Sequence, residues 1–299
     1  MRFGLHTGQH QTSYAEIRDL WRDAAVWGFD ACYVFDHVVP LHSDVEAFLP
    51  EEALAPDGPC LEGFTMLAAL ARDVPAVSVG LMVAAVSYRA PSLLTHIAST
   101  LAGAAPERYE IGIGGGWFER EYPMLGLPFP SARDRLDELE QALGTFRDAF
   151  GERRPRLWVA GIGERRLLPL AARLADSWNA MYLTPGEFAT KVAVLAAACA
   201  DAGRDPASIE RSIALRAFCA RDARRADDAL SDFASARGRD AERVRGRSLV
   251  GTPEECAAQL DRYAAAGATH CAVMAHPPYD REGLELLAGE VFPRVGSGR

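Results

Sequence analysis

Apolar and polar positions along this chain follow two alternating patterns. Short apolar runs predict buried strands, and the segments between them repeat their apolar residues every three to four positions, which is typical of amphipathic helices. One predicted helix begins with a capping box, since Ser13 stands three residues before Glu16. The pattern predicts strands at 2–7, 31–35, 77–85, 109–114, 157–161, 177–181, 209–220 and 270–274. It predicts helices at 13–27, 62–73, 91–102, 131–150, 164–175, 185–202, 226–236, 252–266 and 282–290.

This alternation of eight strands with helices favours an α/β fold, a single (β/α)₈ TIM barrel. No linker interrupts the series, so one domain covering 1–299 is expected. Barrels of this kind carry their active sites at the C-terminal ends of the strands. The residues at or just after the predicted strand ends are therefore the candidates for function, and they include His6, Asp36, His37, Ala84, Gly114, Gly161, Trp178 and His276.

Composition narrows the classes of partner. The 299 residues are 49% hydrophobic and 24% charged, as expected of a globular protein. A net charge of -9 argues against binding nucleic acid or anionic lipid. The six cysteines form no C-x-x-C pair, so neither a zinc knuckle nor a disulfide framework is predicted. With no long apolar run and no targeting pattern after Met1, a cytoplasmic protein is expected, and no membrane partner.

The segment Ile111-Gly-Ile-Gly-Gly-Gly-Trp117 is the strongest candidate for a cofactor seat. Consecutive glycines let a planar ring or a phosphate approach the bare backbone. The segment is not a dinucleotide fingerprint, because Trp117 stands where the third glycine is required. A tight loop without a ligand is the alternative.

A second glycine-rich turn, Gly161-Ile162-Gly163-Glu164, precedes the predicted helix at 164–175. Free amides at a helix N-terminus, with Arg165 and Arg166 beside them, would form a phosphate site. The alternative is that both arginines only face water.

Several separate motifs, in one order, resemble the bacterial luciferase-like flavin and deazaflavin oxidoreductases, and most closely the branch that uses coenzyme F-420, an 8-hydroxy-5-deazaflavin. The resemblance spans nearly the whole chain. Its motifs are Gly80-Leu-Met-Val-Ala-Ala-Val-Ser-Tyr-Arg-Ala-Pro91, Ile111-Gly-Ile-Gly-Gly-Gly-Trp-Phe-Glu-Arg-Glu121, Gly126-Leu-Pro-Phe-Pro130, Leu170-Ala-Ala-Arg-Leu-Ala-Asp-Ser-Trp-Asn179, Asp36-His37 and Gly251-Thr-Pro-Glu-Glu255.

The resemblance implies a hydride-transferring oxidoreductase acting on a small organic substrate, with the cofactor ring in the barrel mouth. It makes His37 the catalytic proton donor or acceptor, and it implies a homodimer. The cofactor-binding residues that it implies are Asp36, Ala84, Gly114, Gly115, Gly116, Trp117, Gly161, Ile162, Gly163, Glu164, Arg165 and Trp178.

Two departures from the family pattern change the expected site. Family members often have hydroxyl residues in strand three, where this chain has Leu81 and Ala84, so ring recognition is expected to use the backbone. Only 151–156 joins helix four to strand five, which shortens that part of the lid. The long acidic loop at 38–59 is then the candidate lid.

Proton chemistry is consistent with the role of His37, because hydride transfer to or from a carbonyl, imine or alkene requires a proton donor or acceptor. A histidine that titrates near neutrality suits this task. The alternative is a structural histidine paired with Asp36 or a backbone carbonyl. Glu119 and Glu121 are reserve candidates that are expected to face solvent.

Three alternatives remain open on the sequence. One is an FMN-dependent monooxygenase of the same family. Another is a metal-dependent isomerase or hydrolase, in which His6, His37, His276 and Asp36 hold a divalent ion. The last is a non-catalytic barrel that only binds flavin.

Overall fold

The computed structural model describes residues 1–40, 60–151 and 154–296. Its strands are β1 (Arg2–Thr7), β2 (Ala31–Val34), β3 (Ser78–Ala85), β4 (Tyr109–Gly114), β5 (Arg156–Ala160), β6 (Ser177–Met181), β7 (Glu210–Cys219), β8 (Ser248–Gly251) and β9 (His270–Ala275). Its helices are α1 (Tyr14–Trp27), α2 (Gly63–Asp73), α3 (Pro91–Ala104), α4 (Glu121–Met124), α5 (Ala132–Phe150), α6 (Leu167–Leu174), α7 (Pro185–Asp201), α8 (Ala223–Ala236), α9 (Ala241–Arg245), α10 (Pro253–Ala265) and α11 (Arg281–Leu286).

Eight of these strands close into a parallel barrel. Strands β1 to β7 pair in sequence order, and β9 pairs with both β7 and β1, which completes the ring. Strand β8 stays outside the ring and pairs with the C-terminal part of β7 at residues 216–219. The predicted (β/α)₈ barrel is confirmed. No helix in the described ranges is long and apolar enough to cross a bilayer.

The sequence pattern missed three short elements and misplaced one helix. It did not predict β8, α4 or α9, which are four or five residues long. It placed the start of α6 at 164, whereas this helix begins at Leu167. Gly161 has a φ of 134°, and the Leu168 amide donates to the Gly163 carbonyl at 3.0 Å, so a wide turn precedes the helix. The candidate lid at 38–59 lies outside the described residues from 41 onward.

Side chains alternate across the barrel wall and seal its lower end. Phe3 and Leu5 of β1 point outward into the apolar layer beneath the helices. Inside, the Glu110 carboxylate accepts hydrogen bonds from the Tyr33 hydroxyl at 3.0 Å and the Trp158 indole at 2.9 Å, and it is also paired with Arg2. This buried network closes the N-terminal end of the barrel. The C-terminal mouth is therefore the end at which a cavity opens.

A bulge in β3 shapes one wall of this mouth. The register between β3 and β4 passes from Leu81 opposite Ile111 to Ala84 opposite Ile113, so β3 carries one extra residue there. The peptide bond between Met82 and Val83, within the bulge, is cis. The Met82 carbonyl oxygen lies 3.0 Å from His6 Nε2. The bulge brings backbone atoms of β3 to the cavity surface.

Candidate functional site

A cavity of about 480 Å³ opens at the C-terminal mouth of the barrel. Its walls come from the ends of seven strands, β1 to β6 and β9, from the start of α5 and from Leu167 of α6. Most of the predicted site residues line it, namely Asp36, His37, Ala84, Gly114, Gly115, Gly116, Trp117, Gly161 and Ile162. The cavity is largely apolar, and it has the size and composition that are usual for a small-molecule or cofactor site.

His37 is held by a buried carboxylate. Its Nδ1 lies 2.8 Å from Oε2 of Glu121, a residue with no exposed surface. The Tyr88 hydroxyl donates to the same oxygen, and the Val38 amide donates to Oε1 at 2.7 Å. The expectation that Glu121 faces solvent was wrong, whereas Glu119 is exposed. The partner of His37 is thus Glu121, and neither Asp36 nor a backbone carbonyl takes that place.

Electrostatics keep the Glu121 carboxylate ionised. Burial alone would raise its pKa, but the hydrogen bonds from His37, Tyr88 and the Val38 amide bring the pKa below its ordinary value. An ionised carboxylate only accepts hydrogen bonds, so the proton of neutral His37 is on Nδ1. In that neutral form, Nε2 carries the electron pair and is the ring atom that can accept a hydrogen bond.

Asp36 is fixed by a two-pronged ion pair. Its two oxygens lie 2.7 and 2.8 Å from the Arg89 guanidinium, and one of them also accepts from the Ala85 amide at 3.0 Å. Burial raises the pKa of Asp36, and the contacts with Arg89 offset part of this rise. With its oxygens engaged in this way, Asp36 ties the end of β2 to the end of β3 and lines the cavity beside His37.

The three glycines after β4 form a bare backbone surface. A Cβ on Gly114 would lie 2.9 Å from Val83 Cγ2, and one on Gly116 would lie 2.4 Å from the Tyr122 hydroxyl. Among the described residues, a Cβ on Gly115 would meet nothing closer than Arg135 Cβ at 4.0 Å. No residue of this part of the chain therefore requires a glycine at 115, which is expected if a ligand occupies that space.

The rim near β5 carries unpaired amides and cations. The amides of 162–164 donate to no acceptor among the described residues. Arg135 of α5 lines the cavity, and its guanidinium lies 4.2 Å from the centre of the Phe129 ring. Arg165 is exposed, whereas Arg166 is paired with Asp137 at 2.6 Å. Gly163, Glu164 and Arg165 lie in the exposed turn outside the cavity lining.

Trp178 does not line the cavity, contrary to the expectation from the sequence. Its side chain is fully buried in the layer between barrel and helices, where its ring stacks on Phe188 with centroids 5.4 Å apart. Alternate residues of a strand face opposite sides, and Trp178 lies on the outer side of β6. Its indole nitrogen donates to the Gly161 carbonyl at 2.8 Å, so it supports the glycine turn from behind.

The histidines at the mouth do not form a metal site. Burial lowers the pKa of His6 to about 4, and His6 Nε2 lies against the Met82 carbonyl. Asp36 is engaged by Arg89, and His37 by Glu121. Across residues 1–40, 60–151 and 154–296, no group of three or more His, Cys, Asp or Glu side chains is placed to hold a metal ion. The metal-dependent alternative has no site in this part of the chain.

Sequence reasoning missed Tyr88, Arg89 and Arg135 as parts of the site, and it named Glu121 only as a reserve candidate that faces solvent. None of these three left a distinguishing local signal. Arg135 stands at the start of α5, where the helix dipole disfavours a positive charge, but the exposed Arg133 stands there too. Glu121 left none, because its burial depends on the fold of the loop between β4 and α5.

This chain is similar to known proteins both in sequence and in fold. A family model described as luciferase-like monooxygenase matches residues 1–242. A stretch of 77 residues is 38% identical to a phthiodiolone/phenolphthiodiolone dimycocerosates ketoreductase from Mycobacterium kansasii. That stretch covers 25% of this chain and 21% of the ketoreductase.

Solved structures share the whole fold at low identity. An F-420-dependent secondary alcohol dehydrogenase, in complex with an F-420-acetone adduct, is 18% identical with a TM-score of 0.82, over 98% of each chain. The coenzyme F-420-dependent tetrahydromethanopterin reductase from Methanopyrus kandleri is 16% identical with a TM-score of 0.78, over 98% of this chain and 99% of that chain. The FMN-bound oxygenating constituent of 3,6-diketocamphane monooxygenase from Pseudomonas putida is 18% identical with a TM-score of 0.74, over 99% of each. At these identities the likeness shows the fold.

The Glu121 carboxylate predicts a specific pH dependence of stability. Because its folded pKa lies below the ordinary value of 4.5, its contribution is fully present above pH 4.5 and is lost as the pH falls through the folded pKa. We expect Glu121→Gln to lower the free energy of unfolding by about 1–3 kcal/mol at neutral pH, with the deficit shrinking in acid. Urea denaturation across this pH range measures it. Glu119→Gln, an exposed neighbour, is the matched control, and a deficit that does not change with pH would contradict the assignment.

Proposed function

Because the chain belongs to the luciferase-like monooxygenase family, we propose that it is an oxidoreductase that binds coenzyme F-420 at the barrel mouth. In this proposal it transfers a hydride between the deazaflavin and a small organic substrate, by reducing a C=O, C=N or C=C bond or by the reverse reaction. The observation that carries the proposal is the position of His37, which is held by a buried carboxylate in the same cavity as the bare backbone of 114–116.

The glycine surface fits a planar ring. Gly115 is the one glycine of the three at which a Cβ would find open space in the protein, and that space belongs to the cavity. A ring on this surface would contact backbone atoms of 114–116 and would have Trp117 at its rim. Ala84 and the residues of the β3 bulge offer the ring no hydroxyl side chain, so hydrogen bonds from this wall would come from the backbone.

The rim near β5 fits a phosphate group. The amides of Ile162, Gly163 and Glu164 are available as donors, and Arg135 adds a positive charge on the cavity side. Arg165, in the exposed turn, can approach from outside. Amides and guanidinium groups together are the usual ligands of a phosphate.

His37 would handle the proton. The bound cofactor supplies the hydride chemistry, and the protein must provide or remove a proton at the reacting group. With Nδ1 bonded to Glu121, His37 Nε2 is the atom that would accept a proton from a hydroxyl group, or donate one after protonation. Glu121 acts through His37 by fixing its ring and its tautomer, which makes it a positioning residue.

An FMN-dependent monooxygenase is the second candidate within the family, and the description of the matching family model favours it. The names of two similar proteins, a ketoreductase and an F-420-dependent secondary alcohol dehydrogenase, support the hydride-transfer proposal. A deazaflavin has carbon at position five and forms no stable hydroperoxide, so the two candidates predict different cofactor binding. A barrel that binds the cofactor without turnover remains the non-catalytic alternative.

Cofactor titration separates the two oxidoreductase candidates. We expect coenzyme F-420 to bind at least about tenfold more tightly than FMN, a difference of about 1.4 kcal/mol. Fluorescence quenching of the purified protein and of the coenzyme measures both affinities. Tighter binding of FMN would support the monooxygenase, and failure of both compounds to bind would contradict the hydride-transfer proposal.

The glycine surface is tested by Gly115→Val. The added side chain meets no close neighbour among residues 1–40, 60–151 and 154–296, so the fold should be retained, while the ring loses its place. Overpacking costs about 1–3 kcal/mol, which corresponds to a roughly ten- to hundredfold loss of F-420 affinity. Gly144→Val, on α5 and also in open space, is the matched control. Unchanged affinity of the Gly115 variant would remove this surface from the site.

The proton role is tested by His37→Ala. General acid and base catalysis contributes about 10²- to 10⁴-fold, so kcat should fall by at least about a hundredfold while the dissociation constant of F-420 changes little. The substrate is chosen from a panel of carbonyl, imine and alkene compounds as the one turned over fastest. The opposite pattern, a large loss of cofactor affinity with kcat retained, would make His37 a binding residue.

A further inference from the structure

One polar side chain in the cavity has no part in the proposed proton chemistry. His276 directly follows β9 and lines the same cavity as His37. Both of its ring nitrogens are buried, and neither has a hydrogen-bond partner among the described residues. An unsatisfied buried polar group costs about 1–3 kcal/mol, so such a group in a cavity indicates a contact that a ligand completes.

The backbone of Gly8 determines which ring nitrogen of His276 can donate a hydrogen bond to a ligand. A Cβ on Gly8 would lie 2.3 Å from His276 Nδ1, so this edge of the ring rests against the glycine. The polar groups of Gly8 are already used, because its amide donates to the Ala275 carbonyl and its carbonyl accepts from the Tyr279 hydroxyl. A proton on Nδ1 would face the Cα hydrogens of Gly8. The favoured tautomer therefore has its proton on Nε2, which is directed away from Gly8.

The surroundings keep this imidazole neutral. Burial is the main cause that brings the pKa of His276 well below its ordinary value. His10 and His6 lower it further, and so do Arg216 and Arg237. His10 lies closest among the rings, with centroids 5.5 Å apart. A neutral imidazole offers a hydrogen-bond donor at Nε2, and it does not act as an acid at neutral pH.

We propose that His276 binds the substrate, by donating a hydrogen bond from Nε2 to an uncharged oxygen atom of a carbonyl or hydroxyl group. This inference rests on the proposed function and narrows its substrate class to the ketone, aldehyde and alcohol compounds. An alkene without a conjugated carbonyl group has no oxygen to accept this bond. An imine nitrogen accepts a hydrogen bond only while it is neutral, and the positive charge of its protonated form is disfavoured near Arg216 and Arg237, whose charges already act on His276.

Binding of a matched pair of probes tests the proposal without turnover. Cyclohexanone and methylenecyclohexane have the same ring and differ in C=O against C=CH₂. In protein labelled with ¹⁵N-histidine, cyclohexanone should shift the His276 ring resonances, and methylenecyclohexane should leave them in place. The exposed His96 serves as the internal reference. Equal responses of His276 to both probes, or no response to either, would overturn the proposal.

Substitutions give a second readout. His276→Phe should weaken cyclohexanone binding by roughly tenfold, about the value of one hydrogen bond, without weakening methylenecyclohexane. His276→Gln retains an N–H donor and should recover part of the loss. F-420 affinity should be unchanged in both variants, so failure of the cofactor titration and failure of this proposal are distinguishable. A His276→Phe variant that binds both probes as the unaltered protein does would also overturn the proposal.

Discussion

The buried carboxylate of Glu121 is the constraint on which the mouth of the barrel depends. Removing an ionised group from water costs several kcal/mol unless hydrogen bonds replace the lost hydration. Glu121 obtains them from His37, from Tyr88 and from the amides of Val38 and Val39. These donors lie in the loops after β2 and β3, and Glu121 itself lies after β4. One carboxylate therefore connects the segments that follow three strands. The orientation of His37 is a consequence of how this charge is accommodated.

Most of the fold was predictable, because strand periodicity carries it. The eight barrel strands lie within a few residues of their predicted positions, and the capping box at Ser13 marks the start of α1. Strand β8, Ser248–Gly251, was not predicted, although β2 is equally short. The start of α6 was misplaced because the wide turn after Gly161 depends on its φ of 134°, which the residue pattern does not reveal.

Site residues that directly follow a strand were predictable from the sequence. Residues whose role depends on the direction of the side chain were not. Gly114 to Trp117 and His37 lie at the cavity because they follow β4 and β2. Trp178 was placed on the wrong side, because successive residues of a strand face opposite sides and the bounds of β6, though predicted correctly, do not tell which residues face the cavity. Glu121 was named only as a reserve candidate, and its burial was missed because its partners are distant in sequence. Homodimer formation and a cytoplasmic location remain predictions.

The central claim is that the barrel mouth holds a deazaflavin ring between bare backbone and a proton-handling histidine. A crystal structure of the protein with oxidised coenzyme F-420 tests it most directly. We expect the ring to contact the backbone of 114–116, at about 4 Å, with His37 Nε2 facing the ring and Nδ1 still bonded to Glu121. A ring bound outside this cavity, or a His37 that has left Glu121 and faces away from the ring, would contradict the account.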